Sequence, residues 1–300
     1  MLRVAITGST GLIGTALAQY LRGDGAEVVR LVRRQPASAQ EIRWDPAAAD
    51  GGLSRSALSG VTAVVHLSGA PVAGGRWTPA RKQVLRASRI DSTRALVRAV
   101  LATEDPPQVL LAGSAIGWYG DTGNRLVDET ALPGSGFLAT LVRDWEAATQ
   151  PAVQAGLRVV QLRTGIVLAR QGGMLRPLLL PFRLGLGARI GPGSQYLSWI
   201  TLTDHLRAVR FLLDRPDIGG SVNLTAPTPA TNAEFTRALA AAVHRPAVLA
   251  VPGWALRLAL GELSAELLGS VRVRPARLEQ AGFSFRYPEI GSALRHAVRG

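Results

Sequence analysis

Cysteine is absent from all 300 residues, which excludes disulfides, thiolate catalysis and Cys-ligated zinc. Histidine is scarce: His66, His205, His244 and His296 stand far apart, with no HExxH or other metal-ligand spacing. A zinc enzyme is therefore not expected. No run of about 18 apolar residues occurs, so no membrane span is expected. Met1 leads almost directly into the first apolar segment. That leaves no room for a secretory leader, and the cytoplasm is the expected location. Lysine occurs once, at Lys82, so the net charge of +13 is carried almost entirely by arginine. These arginines are spread along the chain beside abundant Ala, Gly and Pro, without a dense basic block. A nucleic-acid partner is not expected from so diffuse a footprint.

What is present is globular. Hydrophobic residues make up 47% and charged residues 18% of the chain, enough to bury a full core without a staple. Short apolar strands are predicted at Leu2–Thr7, Glu27–Val32, Val61–Leu67, Val109–Ala112 and Val159–Leu162. Amphipathic helical stretches at Pro79–Leu101 and Phe137–Ala155 lie between them. That alternation predicts an α/β fold, a Rossmann doubly wound parallel sheet covered on both faces. After about residue 168 the pattern breaks. Residues 172–193 are rich in Gly, Pro and Leu, Asp204–Leu213 reads as a helix returning to the main domain, and Val222–Leu224 and a helix from Asn232 follow. The expected organisation is a Rossmann domain over residues 1–168, with 197–215 returning to it. Residues 169–196 and 216–300 are expected to form a smaller C-terminal, substrate-side lobe.

The first strand ends in Gly8-Ser9-Thr10-Gly11-Leu12-Ile13-Gly14, a GxxGxxG spacing one residue longer in its first gap than GxGxxG. Glycines after a strand and before a helix let the chain turn sharply and bring backbone amides and a helix N-terminus to a pyrophosphate. A dinucleotide-binding turn built on Gly8, Thr10, Gly11, Leu12, Ile13 and Gly14 is the expectation. At the end of the second strand an acidic residue would favour NAD; this chain has Arg33 and Arg34 there. Two guanidiniums suit the 2′-phosphate of NADP, which is favoured over NAD, with an ordinary solvated surface pair as the alternative. The fourth strand ends in His66-Leu67-Ser68-Gly69-Ala70, small residues suited to a cleft, with His66 read as a core histidine.

These segments resemble the short-chain dehydrogenase/reductase superfamily in its extended, NAD-dependent epimerase/dehydratase form. The resemblance is closest to an atypical branch of "epimerase family" proteins, sometimes described as cell-division inhibitors. It is carried by GSTGLIG (8–14), WDP (44–46), HLSGAP (66–71), RWTPARKQVLRASRI (76–90), SAIGWYGD (114–121) and DWEAA (144–148). RTGIVL (163–168), LPFRLGLG (180–187), WITLTDH (199–205), NLTAPTPATNAEF (223–235) and RVRPARLEQAGFSFRYPE (272–289) extend it over nearly the whole chain. The resemblance implies NADP as cofactor, with Arg89 and the turn of Leu67, Ser68 and Gly69 approaching it. It also matches Ser114 to the superfamily's active-site serine.

One departure stands out. The superfamily's Tyr-x-x-x-Lys pair is missing: Asp24, Gly123, Ile200 and Gly291 stand four residues after Tyr20, Tyr119, Tyr196 and Tyr287. If DWE supplies the glutamate that usually follows that motif, Leu138 and Val142 fill the Tyr and Lys positions. Tyr119, five residues after Ser114, is either a substitute acid or a packing residue. Lys82 reads as a solvated helix lysine, and Asp144 and Glu146 as a helix-face pair. Two functions stay open: an oxidoreductase or epimerase acting on a small hydroxyl- or carbonyl-bearing substrate, and a non-catalytic NADP-binding sensor or interaction protein. The oligomeric state is open as well, a homodimer being one option.

Overall fold

The structure is a computed structural model that describes residues 2–48, 51–73 and 75–299. Its centre is a seven-stranded sheet in which every pairing is parallel. β1 (Arg3–Thr7), β2 (Glu27–Val32), β3 (Glu41–Arg43), β4 (Ala63–His66), β5 (Val109–Ala115) and β6 (Arg158–Thr164) are joined by the strand Gly220–Leu224. The spatial order is Gly220–Leu224, β6, β5, β4, β1, β2, β3. The order reverses beside β1, between its two neighbours β4 and β2. A cleft opens there beyond the carboxyl ends of the strands, where doubly wound sheets take ligands.

Alternate side chains of the strands enter opposite layers. Val4 and Ile6 pack with Leu17 and Leu21 of α1 (Leu12–Gly23) and with Val209 and Leu212 of the helix Leu202–Leu213. Ala5, Val64 and Leu110 pack on the opposite face with Leu96 and Val100 of α3 (Ser92–Leu101). A separate core of Leu175, Leu179, Phe182, Trp199, Phe235, Leu239 and Leu294 packs together elements of the C-terminal half.

Three sequence expectations are corrected. The strand expected at Val222–Leu224 in the smaller lobe begins at Gly220, pairs with β6 over Gly220↔Val160 to Leu224↔Thr164, and extends the main sheet. The stretch Pro79–Leu101 is not one regular helix. α2 (Pro79–Arg86) and α3 flank a π-helical turn at Ala87–Asp91. The wider turn rotates the residues after it relative to an unbroken α-helix. Likewise Phe137–Ala155 divides into α4 (Phe137–Ala147) and a short helix Gln150–Gln154.

Candidate functional site

The glycine turn is shaped by clashes that a side chain would create. Gly8 has φ +64°, and a Cβ there would stand 2.5 Å from the Leu67 carbonyl oxygen. A Cβ on Gly14 would lie 2.3 Å from the Gly8 carbonyl oxygen. Only glycine lets β1, the turn and the 67–69 turn approach this closely. Gly11 donates to the Gly8 carbonyl at 3.0 Å and begins α1 without a side-chain cap. Leu12 and Ile13 therefore present backbone amides with no protein partner among the described residues, beside the positive end of α1. That end suits an anion.

β1 and β4 are joined below the turn through His66. Its Nδ1 bonds Thr7 Oγ1 at 2.7 Å, its Nε2 bonds Thr93 Oγ1 at 3.1 Å, and Trp44 meets its ring edge-on. Complete burial pushes the imidazole down to about 4, so it is a neutral structural bridge.

A cavity of about 950 Å³ extends from the turn over the end of β2. Gly8, Thr10, Gly11, Arg33, Arg34, Leu67, Ser68 and Gly69 all line it. Leu12, Ile13, Gly14 and Arg89 are not on its wall. Leu12 packs against Gly172, Ile13 against the core, and Gly14 beneath Gly8. Arg89 leaves the π-helical turn to lie behind Gly69, where a Cβ would come within 3.3 Å of its Cζ. It donates to the carbonyls of Ala70 (3.0 Å) and Leu85 (3.3 Å), with its Cζ 5.2 Å from the Trp145 ring centre. Burial, and secondarily the charge of Arg81, lower the Arg89 guanidinium to about 10. Arg89 thus braces the turn from behind.

The two arginines after β2 differ. Arg34 is held in a fork by Glu41, at 2.6 and 2.8 Å. The Arg34 hydrogen bond keeps the Glu41 carboxyl below its ordinary value. Arg33 is exposed and has no ion pair or hydrogen bond among the described residues. Sequence reasoning passed over Glu41, and also Arg30, whose guanidinium bonds Ser9 Oγ (3.2 Å) and Ser9 O (3.3 Å) and approaches Glu41 at 3.4 Å. Trp44, Pro46, Ser88 and Asp91 also line the cavity. The WDP and Ser-Arg-Ile segments were noted in the sequence, but nothing there aimed these side chains at the cleft.

Ser114 and Tyr119 lie elsewhere. Neither lines the cavity, and their relative exposures are 5% and 3%. Ser114 Oγ donates to Glu146 Oε1 at 2.6 Å. Arg163 grips the same carboxylate through Nε (2.8 Å) and Nη2 (2.9 Å), and its Nη1 donates to the Tyr119 hydroxyl at 3.1 Å. Tyr119 in turn donates to Asn223 Oδ1 at 2.7 Å, and the Trp118 ring centre lies 3.9 Å from Arg163 Cζ. Burial pushes the Tyr119 phenol up to about 12, against the opposing pull of Arg163. Leu138 and Val142 on α4 face Gly117, so apolar side chains pack where the resemblance placed the missing pair.

Two further readings are corrected here. Asp144 and Glu146 do not share a face: Asp144 pairs with Arg86 and Arg143 near the surface, whereas Glu146 is buried. Lys82 is not merely solvated. It pairs with Glu262 of the C-terminal lobe at 2.6 Å and lies 5.0 Å from the Phe137 ring centre. Among the described residues no cluster of three or more His, Cys, Asp or Glu could hold a metal ion, and no helix is long and apolar enough to cross a membrane.

Parallel sheet, glycine turn and cleft at the strand reversal define a Rossmann protein with a nucleotide-sized site. The comparisons narrow this class. Residues 4–225 match the NAD dependent epimerase/dehydratase family, and residues 251–297 match a domain of unknown function, DUF1731. The chain belongs to the NAD dependent epimerase/dehydratase family. It is 50% identical over 296 residues to Epimerase family protein Mb2239 of Mycobacterium bovis, covering 98% of this chain and 97% of that one. It is 37% identical over 301 residues to mouse Epimerase family protein SDR39U1, covering 99% and 100% respectively. Among solved structures, human SDR39U1 (isoform 2) with NADPH superposes with a TM-score of 0.90 at 33% identity, covering 99% of both chains.

Proposed function

We propose that this chain binds NADP(H) in the cavity between the glycine turn and the end of β2, and that holding the nucleotide is its principal activity. The carrying observation is Arg33, an unpaired guanidinium on the cavity wall where an NAD-selective site would place a carboxylate. The residues fit the ligand. The amides of Leu12 and Ile13 suit the pyrophosphate, and the space above Gly8 and Gly69 is kept open by missing side chains. Arg33 suits a 2′-phosphate, with Arg34 beside it oriented by Glu41. The NADPH-bound human relative supports the same reading.

NADPH, when bound, supplies a hydride; protonating a carbonyl oxygen that receives one falls to the protein. No tyrosine–lysine pair is available, and the Ser114 and Tyr119 hydroxyls are turned into the Glu146–Arg163–Asn223 network. Any reduction then proceeds without general-acid help worth about 10²–10⁴ in rate. A second reading, an oxidoreductase or epimerase acting on a small hydroxyl or carbonyl compound, is favoured by Ser114, which stands at the carboxyl end of β5.

The test is to identify the nucleotide retained on purification by mass spectrometry. NADPH oxidation is then followed with aldehydes, ketones and nucleotide sugars. Retained NADP(H) with only slow oxidation is expected. Rapid turnover that falls in Ser114→Ala would establish the second reading instead.

A further inference from the structure

The C-terminal lobe carries an apolar face that the nucleotide site does not use. Trp254 and Leu258 stand one helical turn apart on one side of the helix Gly253–Leu260, and Leu180 lies four residues before Leu184, which caps the helix Leu175–Arg183. With Val248, these side chains are 64–84% exposed. The helix Gly253–Leu260 has no buried residue although six of its eight are Trp, Leu or Ala. The elements are joined in space. The strand Ala188–Ile190 pairs with Leu249–Val251, Arg245 Nε donates to the Arg183 carbonyl at 3.2 Å, and Leu268 packs against both Gly191 and Gly253.

Cations are interleaved with this face. Arg176, Arg183, Arg189, Arg245 and Arg257 are exposed, and none has a carboxylate partner among the described residues. No Asp or Glu occurs in residues 147–203 or 235–261, the segments that supply the face.

From this arrangement we propose that the face is a docking surface for an anionic lipid bilayer, into whose interface Trp254, Leu258, Leu180, Leu184 and Val248 insert while the arginines meet headgroup phosphates. Apolar insertion and a basic rim together are the two contributions that hold a protein on a membrane without spanning it. A second copy of the chain is a poor occupant. Two-fold pairing sets this patch against itself, arginine facing arginine with no carboxylate to offset the repulsion. Side chains this exposed stand out from the surface and are not shaded by groove walls. A fluid interface accepts them without a matching shape.

Trp254 gives the face its own reporter. Trp44, Trp77, Trp145 and Trp199 are each no more than 7% exposed and Trp118 is half-buried, whereas Trp254 is 68% exposed. The full-length protein is mixed with phosphatidylcholine vesicles with and without about 30% phosphatidylserine, at ionic strengths of about 0.05 and 0.5 M. Expected are sedimentation with the anionic vesicles alone, a blue shift of tryptophan emission, and release at high salt. Trp254→Ser with Leu258→Ser should weaken vesicle binding at least about tenfold. Arg183→Ala and Arg245→Ala should each weaken it about fivefold. These residues are exposed and off the nucleotide cavity, so an unchanged melting midpoint shows that each variant is folded.

Absence of binding to anionic vesicles at low salt overturns the proposal, as does sedimentation without the blue shift. Binding undiminished in the folded variants does the same. A dimer dispersed by Trp254→Ser with Leu258→Ser would assign the face to a second copy. Binding of polyglutamate, but not of vesicles, would assign it to an acidic protein.

Discussion

The two ends of the strand-end surface treat polar groups in opposite ways. At the glycine turn, polar groups are left unpaired beside open space. Arg33 is free on the wall of the cavity of about 950 Å³, and the amides of Leu12 and Ile13 lack partners at the start of α1, just past the cavity-lining Gly11. Around Ser114, polar groups are packed and satisfied by one another: Glu146 accepts from Ser114, Arg163 and, at 3.3 Å, Ser221. Unpaired donors next to a cavity are poised for a ligand, whereas a closed buried network stabilises the fold around itself. The difference supports the proposal that the nucleotide is held at the glycine turn, while Ser114 and Tyr119 sit in a closed hydrogen-bond network.

Substitutions can break that comparison, taken in falling order of effect, and a change of pH adds a further check. Arg163→Met should cost about 3–5 kcal/mol in chemical unfolding, because it leaves the buried Glu146 carboxylate without its cation. A cost below about 1 kcal/mol would mean the network is not the closed structure described. Gly11→Asp should weaken NADPH binding at least about a hundredfold while leaving the melting midpoint nearly unchanged, since the carboxylate enters the anion site and not the core. Unaltered affinity in that folded variant would detach the glycine turn from the nucleotide.

Arg33→Ala should weaken NADPH by about 1.5–3 kcal/mol and leave NADH unaffected. The comparison sharpens with Glu41→Gln. It loosens the hold on Arg34, removes a carboxylate beside the cleft, and should raise NADPH affinity relative to NADH. An equal loss of both nucleotides in Arg33→Ala would place the 2′-phosphate elsewhere.

A change of pH probes the buried cores separately from these substitutions. His66 and His205 are fully buried, and burial lowers each from 6.5 to about 4. The unfolded chain therefore binds more protons than the folded one between those values. The neutral histidines' contribution is complete above about pH 6.5 and is lost as pH falls toward 4. Each adds up to about 1.4 kcal/mol per pH unit within that window. Urea unfolding at pH 7 and 5 should show the loss, and His66→Gln should remove roughly half of the slope. An unchanged slope would mean that His66 is not held neutral.

Much of this was legible in the sequence because it is local. A strand, seven residues and a helix define the glycine turn, and short apolar runs define five strands of the sheet. The rest depends on distant pairing. Gly220–Leu224 has few apolar residues and pairs with β6 residues 60 positions earlier in the chain, so its sequence alone could not assign it to the main sheet. Glu41 lies on a three-residue strand with no readable period, which hid its hold on Arg34. Glu146 was more accessible. It follows Val142 by four residues on α4, so helical spacing alone turns it toward the buried face and Asp144 away from it. The π-helical turn at Ala87–Asp91 interrupts no hydrophobic pattern, and an unbroken helix was the natural reading.

The central proposal is that the glycine turn and Arg33 bind NADP(H) selectively. Its most direct test is a paired titration of the unmodified protein with NADPH and NADH by tryptophan fluorescence, with Trp44 on the cavity wall as an internal reporter. The account predicts NADPH binding at least about tenfold tighter than NADH, a difference of about 1.4 kcal/mol or more. Equal affinities, or tighter NADH, would contradict it.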